Sequence, residues 1–415
     1  MGKQTPLSGA DHIVILGAGH AGGSVAAFLR QYGHAGPVTL VGEEPLAPYQ
    51  RPPLSKAWLK GEADVESLQL RPESFYAESN IALRLGVPAT GVERIERRIT
   101  LHGGEVLPYD RLVFATGARA RRIPLPGLDL GGVMELRTAA DADHLKAALK
   151  PGATLVVVGG GYVGLEAAAS ARALGCEVVV IEREARVLAR VACEALSIFF
   201  QDYHRTRGVH FILGAGVAAI EGADGRAGGV RLSSGDFVRA DAVLVGVGAV
   251  PNQELAQSAG LTCDDGIVVD LAARTSDPAI HAVGDCTRRP LPLYGRSWRL
   301  ESVPNALEQA RQAASDITGR VAPPPEVPWF WSDQFDLKLQ IAGLPFDATT
   351  ILIRGDPAAG RFAIFHLDAE NRMQAVEAIN APPEFMAGRQ LIQSRKPVAP
   401  DKLRDMSISM KEVAV

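Results

Sequence analysis

Short runs of apolar residues alternate with glycine-containing turns along most of this chain. Residues 12–16 (HIVIL) and 154–158 (TLVVV) are two such runs, and each leads directly into a glycine-rich hexapeptide. Apolar runs of about five residues bounded by turn residues are typical of parallel strands that are buried on both faces. The pattern therefore predicts strands that alternate with helices, which is an α/β architecture.

Two such alternating units are predicted, and they end alike. Residues 12–118 close on an apolar run and the small-residue turn 115–117 (ATG), and residues 139–248 close on a similar run and turn. Residues 119–136 are rich in Arg, Pro and Gly, which favours a linker between the two units. Three consecutive prolines at 323–325 mark a later boundary, and the strand-like runs beyond it predict a small α+β domain.

Both hexapeptides match the glycine fingerprint of dinucleotide-binding βαβ units. They are residues 17–22 (GAGHAG) and 159–164 (GGGYVG). The first glycine permits a tight turn, the second lets the backbone approach a pyrophosphate, and the third lets the helix pack closely against the strand. The phosphates then rest on a helix N-terminus, where free N–H groups and the helix dipole favour anions. One copy is a weak signal, but two copies in strand–turn–helix context predict two dinucleotides and a redox relay.

An acidic residue follows each fingerprint at the end of the next apolar run. Glu43 ends the run that begins at residue 38, and Glu182 ends the run that begins at residue 177. A carboxylate at this position accepts hydrogen bonds from ribose hydroxyls and repels a 2′-phosphate. Glu182 therefore favours NADH over NADPH at the second site. Two alternatives stay open: Arg183 could attract a phosphate, and either glutamate could be a solvated charge at a strand end.

Composition narrows the class of protein further. The 415 residues exceed what one hydrophobic core usually serves, so several domains are expected. With 43 basic and 47 acidic residues the net charge is −4, and no basic stripe indicates nucleic acid as a partner. No apolar stretch reaches membrane-spanning length. The cysteines have neither CxxC nor metal-ligand spacing, so we expect no metal site and reduced thiols in a cytoplasmic protein. They are Cys176, Cys193, Cys263 and Cys286.

Several motifs in combination resemble the pyridine-nucleotide-dependent flavoprotein reductases. They are the two fingerprints, the turns at 115–117 and 248–252, and the pair Gly284-Asp285. Residues 48–56 (PYQRPPLSK) and 328–334 (PWFWSDQ) narrow the resemblance to the branch of putidaredoxin reductase and the ferredoxin reductases of aromatic-ring dioxygenases. The resemblance covers nearly the whole chain.

This resemblance implies a glutathione-reductase-like fold with two Rossmann-like domains and a C-terminal α+β domain. The implied FAD-binding domain comprises residues 1–118 and 249–322, the NADH-binding domain residues 119–248, and the C-terminal domain residues 323–415. In that family FAD occupies the first fingerprint and NADH the second. The implied activity passes electrons from NADH through FAD to a 2Fe-2S ferredoxin, which serves a haem-thiolate monooxygenase or a ring-hydroxylating dioxygenase. We expect a monomer or weak dimer.

Three residues are candidates for direct roles in electron transfer. Reduction of a flavin is favoured by a positive charge near the ring. Lys56, in a proline-stiffened turn, is a candidate for this charge, and Glu166 in the second fingerprint helix is a candidate counter-charge. The family pairs a Lys and a Glu at these positions. Trp331 resembles the family tryptophan at the flavin edge. The alternatives are two surface charges and a tryptophan that only packs in the core.

The fingerprints and the resemblance also assign candidate cofactor contacts. For FAD they are Gly17, Gly19, His20, Ala21, Gly22, Glu43, Arg51, Lys56, Ala89, Ala115, Thr116, Gly117, Arg137, Gly284, Asp285 and Val303. For NADH they are Gly159, Gly161, Tyr162, Val163, Gly164, Glu182, Arg190, Gly248 and Glu301. The resemblance matches Asp285 to the ribityl hydroxyls of FAD. For His20 a hydrogen-bonded loop histidine is the alternative, and for Arg51 and Arg137 it is a structural salt bridge.

Other functions remain to be distinguished. An NADH oxidase, peroxidase or disulfide reductase of this superfamily needs a cysteine near the flavin, but residues 44–60 contain none, and Cys286 lacks a resolving partner. A rubredoxin-type reductase and a flavin-bound NADH sensor are the further alternatives. Turnover with different electron acceptors distinguishes all of them.

Overall fold

The computed structural model describes residues 10–415. Residues 1–9, with which the expected FAD-binding domain begins, lie outside the described residues. The chain divides into two compact units. The first comprises the described part of Met1–Gln50 with Val65–Arg119 and Pro251–Phe330, and the second comprises Arg51–Asp64, Ala120–Val250 and Trp331–Val415.

A five-stranded parallel sheet lies at the centre of the first unit. Its strands, in spatial order, are Ile280–Ala282, Arg111–Phe114, Ile13–Leu16, Val38–Val41 and Ile81–Arg84. The strand before the first fingerprint is central, and its four residues are all buried, as its apolar run requires. The helices His20–Gln31 and Val303–Ile317 share one core with this sheet through residues such as Val25 and Ala310.

Smaller elements complete the first unit. Two three-stranded sheets comprise Ala89–Glu93, Arg98–Leu101 and Val106–Pro108, and Ile267–Val268, Thr287–Leu291 and Arg296–Arg299. The short helices are Val65–Leu68, Glu73–Glu78 and Glu254–Ser258, with 3-10 turns at Gly284–Cys286 and Pro292–Tyr294.

The second unit repeats the same arrangement around the second fingerprint. Its parallel sheet has the order Val209–Leu213, Glu177–Glu182, Thr154–Val158, Ala242–Val245 and Val133–Met134. The helices are Ala57–Lys60, Ala139–Ala148, Tyr162–Ala173 and Glu194–Arg205, with a 3-10 turn at Pro52–Ser55. An antiparallel sheet comprises Val217–Ala223, Arg226–Leu232 and Phe237–Arg239. In both parallel sheets the strand that precedes the fingerprint is therefore the central one.

The C-terminal residues form a separate five-stranded sheet. Its strands are ordered Trp329–Gln334, Leu337–Gly343, Met373–Ile379, Arg361–Leu367 and Thr350–Asp356. The last four strands in this order pair antiparallel. The helices Pro382–Ser394 and Pro400–Arg404 follow the strands along the chain. The predicted fold class, two Rossmann-like α/β sheets with a C-terminal α+β part, is confirmed.

The two compact units do not coincide with the three expected domains. Residues 51–64, which the sequence assigns to the FAD-binding domain, belong to the second unit, as do most C-terminal residues. The strands Ala118–Ala120 and Ala249–Pro251 form a two-stranded sheet, and unit boundaries fall inside both. The expected domain boundaries therefore stay a prediction.

Candidate functional site

The first fingerprint forms a turn that admits no side chain at two of its glycines. Gly17 has φ +114°, and a Cβ there would lie 2.1 Å from the carbonyl oxygen of Ala115. A Cβ at Gly22 would lie 1.9 Å from the carbonyl oxygen of Gly17. At Gly19, by contrast, a Cβ would meet nothing within 4 Å. The turn is therefore closed against the sheet and open in front of the helix, where a pyrophosphate needs space.

The second fingerprint has the same geometry. Gly159 has φ +108°, and a Cβ there would lie 2.4 Å from the carbonyl oxygen of Gly246. A Cβ at Gly164 would lie 2.6 Å from the carbonyl oxygen of Gly159, whereas one at Gly161 would meet nothing within 4 Å. Neither fingerprint helix has a side-chain hydrogen bond at its N-cap, so its first N–H groups are available to an anion. Both turns fit a dinucleotide.

Backbone hydrogen bonds hold the carboxylate of Glu182 beside the second fingerprint. Its Oε2 accepts from the N–H of Gly160 at 2.7 Å, and its Oε1 accepts from the N–H of Glu184 at 2.8 Å. The guanidinium of Arg183 is exposed and pairs with Glu184 at 3.1 Å. This arrangement fixes a negative charge at the end of the strand Glu177–Glu182.

The turn at residues 115–117, which follows the strand Arg111–Phe114, is held by hydrogen bonds to Asn252, a residue distant in sequence. Thr116 Oγ1 donates to the carbonyl oxygen of Asn252 at 2.6 Å, and Asn252 Nδ2 donates back to the carbonyl oxygen of Thr116 at 2.8 Å. The N–H of Asn252 also donates to the carbonyl oxygen of Gly117 at 2.9 Å. Sequence reasoning included the Asn252 turn in the family resemblance but did not name this residue as a site residue.

Candidate FAD residues from two segments of the first unit that are far apart in sequence, the first fingerprint and the Gly284 turn, lie close together in the fold. A Cβ on Gly284 would lie 3.0 Å from the Cβ of Ala21. Asp285 follows in the same 3-10 turn, and its charge acts on His20, the first residue of the fingerprint helix. Burial lowers the pKa of His20, and the charge of Asp285 only partly opposes this. His20 Nδ1 is buried without a hydrogen-bond partner, as expected of a group that faces a ligand site.

An ion pair joins partly buried Lys56 to buried Glu166 in the second unit. Lys56 Nζ lies 2.6 Å from Oε2 of Glu166, and the glutamate is 5% exposed. Ser55 Oγ donates to the same oxygen at 2.5 Å, and Ser332 Oγ donates to the other oxygen, Oε1, at 2.7 Å. Both carboxylate oxygens therefore have partners, which a buried charge requires.

Two residues on successive turns of the second fingerprint helix hold Lys56 and its neighbour Ser55 in place. Glu166 and Ser170 are four residues apart and thus lie on the same face of the helix Tyr162–Ala173. Ser170 Oγ donates to the carbonyl oxygen of Ser55 at 2.7 Å. The helix therefore holds both the side chain and the backbone of Ser55, and with them the residue that follows, Lys56.

A chain of buried hydrogen bonds extends from the other carboxylate oxygen. Gln334 Nε2 donates to Ser332 Oγ at 3.1 Å, and Gln334 Oε1 lies 2.8 Å from His204 Nε2. Ser332 and Gln334 are two residues apart on one strand and share a face. Burial lowers the pKa of His204 to about 4, so the ring is neutral at pH 7. Sequence reasoning missed Ser55, Ser170, Ser332, Gln334 and His204, and only the alternation next to Trp331 could have indicated two of them.

The structure places the other candidate residues as follows. Arg51 Nη1 donates to the carbonyl oxygen of Arg137 at 2.6 Å, and a Cβ on Gly248 would lie 3.4 Å from Nη2 of Arg190. Glu301 is exposed and pairs with Arg299. Glu43 and Val163 are exposed, Ala89 begins a strand, Val303 begins a helix, and Trp331 is half-buried beside Ser332.

Burial, with the charges of Glu377 and Cys193, raises the pKa of Tyr162 well above its usual value. The cofactor roles of Tyr162 and of the candidate residues above stay predictions.

Within residues 10–415, no helix combines the length and the apolar composition that crossing a bilayer requires.

Comparison with known families matches almost the entire described chain. The family model of pyridine nucleotide-disulphide oxidoreductases matches residues 11–310, and that of the reductase C-terminal domain matches residues 329–414. The chain belongs to the pyridine nucleotide-disulphide oxidoreductase family. The expectation of a flavoprotein reductase is thus confirmed, and with it the enzyme class and the cofactors FAD and NADH that this family implies.

Several proteins that resemble this chain along its length are ferredoxin reductases. The probable ferredoxin reductase CtmF of Castellaniella defragrans is 51% identical over 406 residues, which cover 98% of this chain and 99% of that one. The ferredoxin–NAD(+) reductase component of the anthranilate 1,2-dioxygenase system of Burkholderia cepacia is 42% identical over 403 residues, 97% of this chain and 99% of that one. The reductase in the crystal structure of the covalent putidaredoxin reductase–putidaredoxin complex matches with a TM-score of 0.94 at 42% identity, over 97% of this chain and 98% of that one.

Proposed function

We propose that this protein is an NADH-dependent ferredoxin reductase that passes electrons from NADH through FAD to a 2Fe-2S ferredoxin. One observation carries the proposal: both glycine fingerprints are open at their helix N-termini, in a chain that aligns along nearly its whole length with ferredoxin reductases. The ferredoxin would in turn serve a haem-thiolate monooxygenase or a ring-hydroxylating dioxygenase.

The second fingerprint supports NADH as the coenzyme. The carboxylate of Glu182 is fixed by two backbone N–H groups, so it cannot easily turn away from a ribose that binds beside the fingerprint. A 2′-phosphate would meet this negative charge, whereas a 2′-hydroxyl could donate to it. Arg183 pairs with Glu184, so its charge is partly neutralised.

The buried pair supports a role for Lys56 in flavin reduction. Bound FAD supplies the change from two-electron acceptance to one-electron release that a 2Fe-2S partner requires. A positive charge stabilises the electron-rich form of the ring, and the contact with Glu166 at 2.6 Å fixes the position of the Lys56 ammonium group. Ser55 and Ser332 hold the glutamate on both oxygens, so the lysine's position does not depend on a mobile side chain. We propose Trp331, on the same strand as Ser332, as the aromatic residue at the flavin edge.

The cysteines provide no support for a thiol-dependent reaction. All four are free, and Cys286, beside the Gly284 turn, is completely buried. Burial raises the pKa of its thiol, which disfavours the reactive thiolate. Free thiols are typical of a reducing compartment, and we include a cytoplasmic location in the proposal.

Turnover with a panel of acceptors tests this function. The holoenzyme, with NADH in excess, is given a 2Fe-2S ferredoxin such as putidaredoxin, a rubredoxin, oxidised glutathione or hydrogen peroxide. The proposal predicts the highest kcat/KM with the ferredoxin. Faster turnover of rubredoxin would assign the rubredoxin-type alternative, and faster turnover of disulfide or peroxide would overturn the proposal. Absence of turnover with every acceptor would indicate a sensor.

A further inference from the structure

Three potential metal ligands that the proposed electron path does not use meet in the second unit. They are Cys193, His366 and Glu377, and their ligand atoms all lie within 4.8 Å of one another. Cys193 is distant in sequence from His366 and Glu377, so no spacing motif indicated the group. The expectation of no metal site rests on the spacing of the cysteines, which does not report on groups that folding brings together.

The C-terminal sheet brings two of these ligands to one face. In the register of the antiparallel strands, Glu377 pairs with Ile364, and His366 pairs with Ala375. His366 and Glu377 are therefore diagonal neighbours whose side chains share a face. His366 Nε2 lies 3.3 Å from Oε2 of Glu377.

Cys193 approaches the same carboxylate from the start of the helix Glu194–Arg205. Its Sγ donates to Oε2 of Glu377 at 2.9 Å, and its N–H donates to Oε1 at 3.3 Å. The sulfur and the imidazole nitrogen thus converge on a single carboxylate oxygen.

One of these ligand atoms lacks a hydrogen-bond partner. His366 and Glu377 are each 3% exposed, and His366 Nε2 is buried without a hydrogen bond, although Oε2 of Glu377 lies 3.3 Å away. Buried polar atoms are nearly always hydrogen-bonded, so an orphaned nitrogen in such a cluster points to an additional ligand.

We propose that Cys193, His366 and Glu377 form a binding site for a divalent cation of the zinc class. Thiolate, imidazole and carboxylate are the donors that Zn²⁺ takes in proteins, whereas Mg²⁺ and Ca²⁺ prefer oxygen alone. On binding, the metal–sulfur bond forms as the S–H proton leaves to solvent, and nothing is oxidised or reduced. The charges of thiolate and carboxylate then balance the cation, and a fourth position remains for water.

Cobalt provides a probe that the flavin does not obscure. The flavin-loaded protein is dialysed against a chelator and titrated with Co²⁺, and absorption is read at wavelengths beyond the flavin bands, where tetrahedral Co²⁺ absorbs. We expect saturation at one Co²⁺ per chain, displacement by Zn²⁺, and no displacement by Mg²⁺ at the same concentration. An absent signal, or equal displacement by Mg²⁺, would overturn the assignment.

Variants identify the ligands. Since even outer-shell partners contribute roughly tenfold or more to metal affinity, Cys193→Ser and His366→Gln should each weaken Co²⁺ binding at least that much. Cys263→Ser is the matched control, because Cys263 lies in the first unit and outside the cluster, and it should bind like the wild type. Retention of flavin verifies that each variant is folded. Unchanged binding in both ligand variants would refute the site, whatever the turnover with ferredoxin.

Discussion

At the residue scale, the carboxylate of Glu166 connects more of the candidate site than any motif indicated. It accepts from Lys56 and Ser55 on one oxygen and from Ser332 on the other. Removing Lys56 leaves the buried carboxylate of Glu166 without its counter-charge, and a loss of this kind typically costs up to about 3–5 kcal/mol. Lys56 and Glu166 should consequently behave as one unit in both stability and rate.

Replacement of Lys56 by Ala should slow flavin reduction by NADH by at least about tenfold, equivalent to about 1.4 kcal/mol of barrier. The affinity for NADH should change less, because the charge matters most as electrons arrive on the ring. Single-turnover reduction, followed by the loss of flavin absorption, measures this. Lys60→Ala is the control, since Lys60 lies on the same segment and pairs with exposed Glu62. Unchanged rates in both Lys56→Ala and Glu166→Gln would reduce the pair to a structural salt bridge.

Coenzyme preference is a second prediction for a single residue. We expect kcat/KM for NADPH to be lower than for NADH by on the order of 100-fold, about 3 kcal/mol, from charge repulsion and a lost hydrogen bond. Glu182→Ala should narrow this ratio, while Glu177→Ala, which removes an exposed charge at the other end of the same strand, should not. Equal efficiency of the two coenzymes in the wild type would show that Arg183 controls the site.

At the scale of elements, the strand–turn–helix units could be predicted because their signals are local. Apolar runs such as residues 154–158 form buried parallel strands, and the positive φ of Gly159 explains why only glycine follows them. The hydrogen bonds to Glu166 could not be predicted, because Ser55 and Ser332 lie 111 and 166 residues away along the chain. The contact between Cys193 and Glu377 could not be predicted either, because these residues are 184 positions apart along the chain.

The two glycines that flank the second turn should respond differently to the same substitution. Gly159→Ala places a Cβ against the carbonyl oxygen of Gly246 and strains a positive φ, so it should destabilise the fold by several kcal/mol, roughly 2–4. Gly161→Ala meets nothing in the fold, so it should leave Tm unchanged and raise KM for NADH by about tenfold through loss of phosphate contact. Thermal unfolding and steady-state kinetics distinguish them. An unchanged KM for Gly161→Ala would contradict the pyrophosphate assignment.

The hydrogen-bonded chain that ends at His204 predicts a pH dependence of stability. The pKa of His204 is lowered to about 4 by burial, so in the window between about 4 and 6.5 the unfolded state binds more protons than the folded state. Stability that is present at neutral pH is therefore lost as the pH falls through this window, by about 2 kcal/mol between pH 7 and pH 5. His204→Gln should remove this component from the pH profile of thermal unfolding, and His210→Gln, which replaces an exposed histidine, should not. Parallel profiles for wild type and His204→Gln would refute the assignment.

At the scale of the whole molecule, two dinucleotide sites in one chain impose a constraint on electron flow. NADH gives up two electrons at once, whereas a 2Fe-2S ferredoxin accepts one, so the chain must release electrons singly. The free cysteines offer no thiol route for a two-electron product, since Cys286, the thiol beside the Gly284 turn, is buried. The family and its cofactors followed from sequence, because the motifs that carry them are local. The electron partner rests on relatives that align along nearly the whole chain.

Anaerobic mixing of the NADH-reduced holoenzyme with oxidised 2Fe-2S ferredoxin tests whether electrons pass from the flavin to a one-electron carrier. Both the flavin and the iron–sulfur absorption are followed in one rapid-mixing experiment, and glutathione disulfide is mixed in parallel. We expect two ferredoxin molecules to be reduced for each NADH consumed, and the flavin to be reoxidised faster by ferredoxin than by the disulfide. Reoxidation by the disulfide that outpaces ferredoxin, or flavin that stays reduced in the presence of ferredoxin, would contradict this expectation.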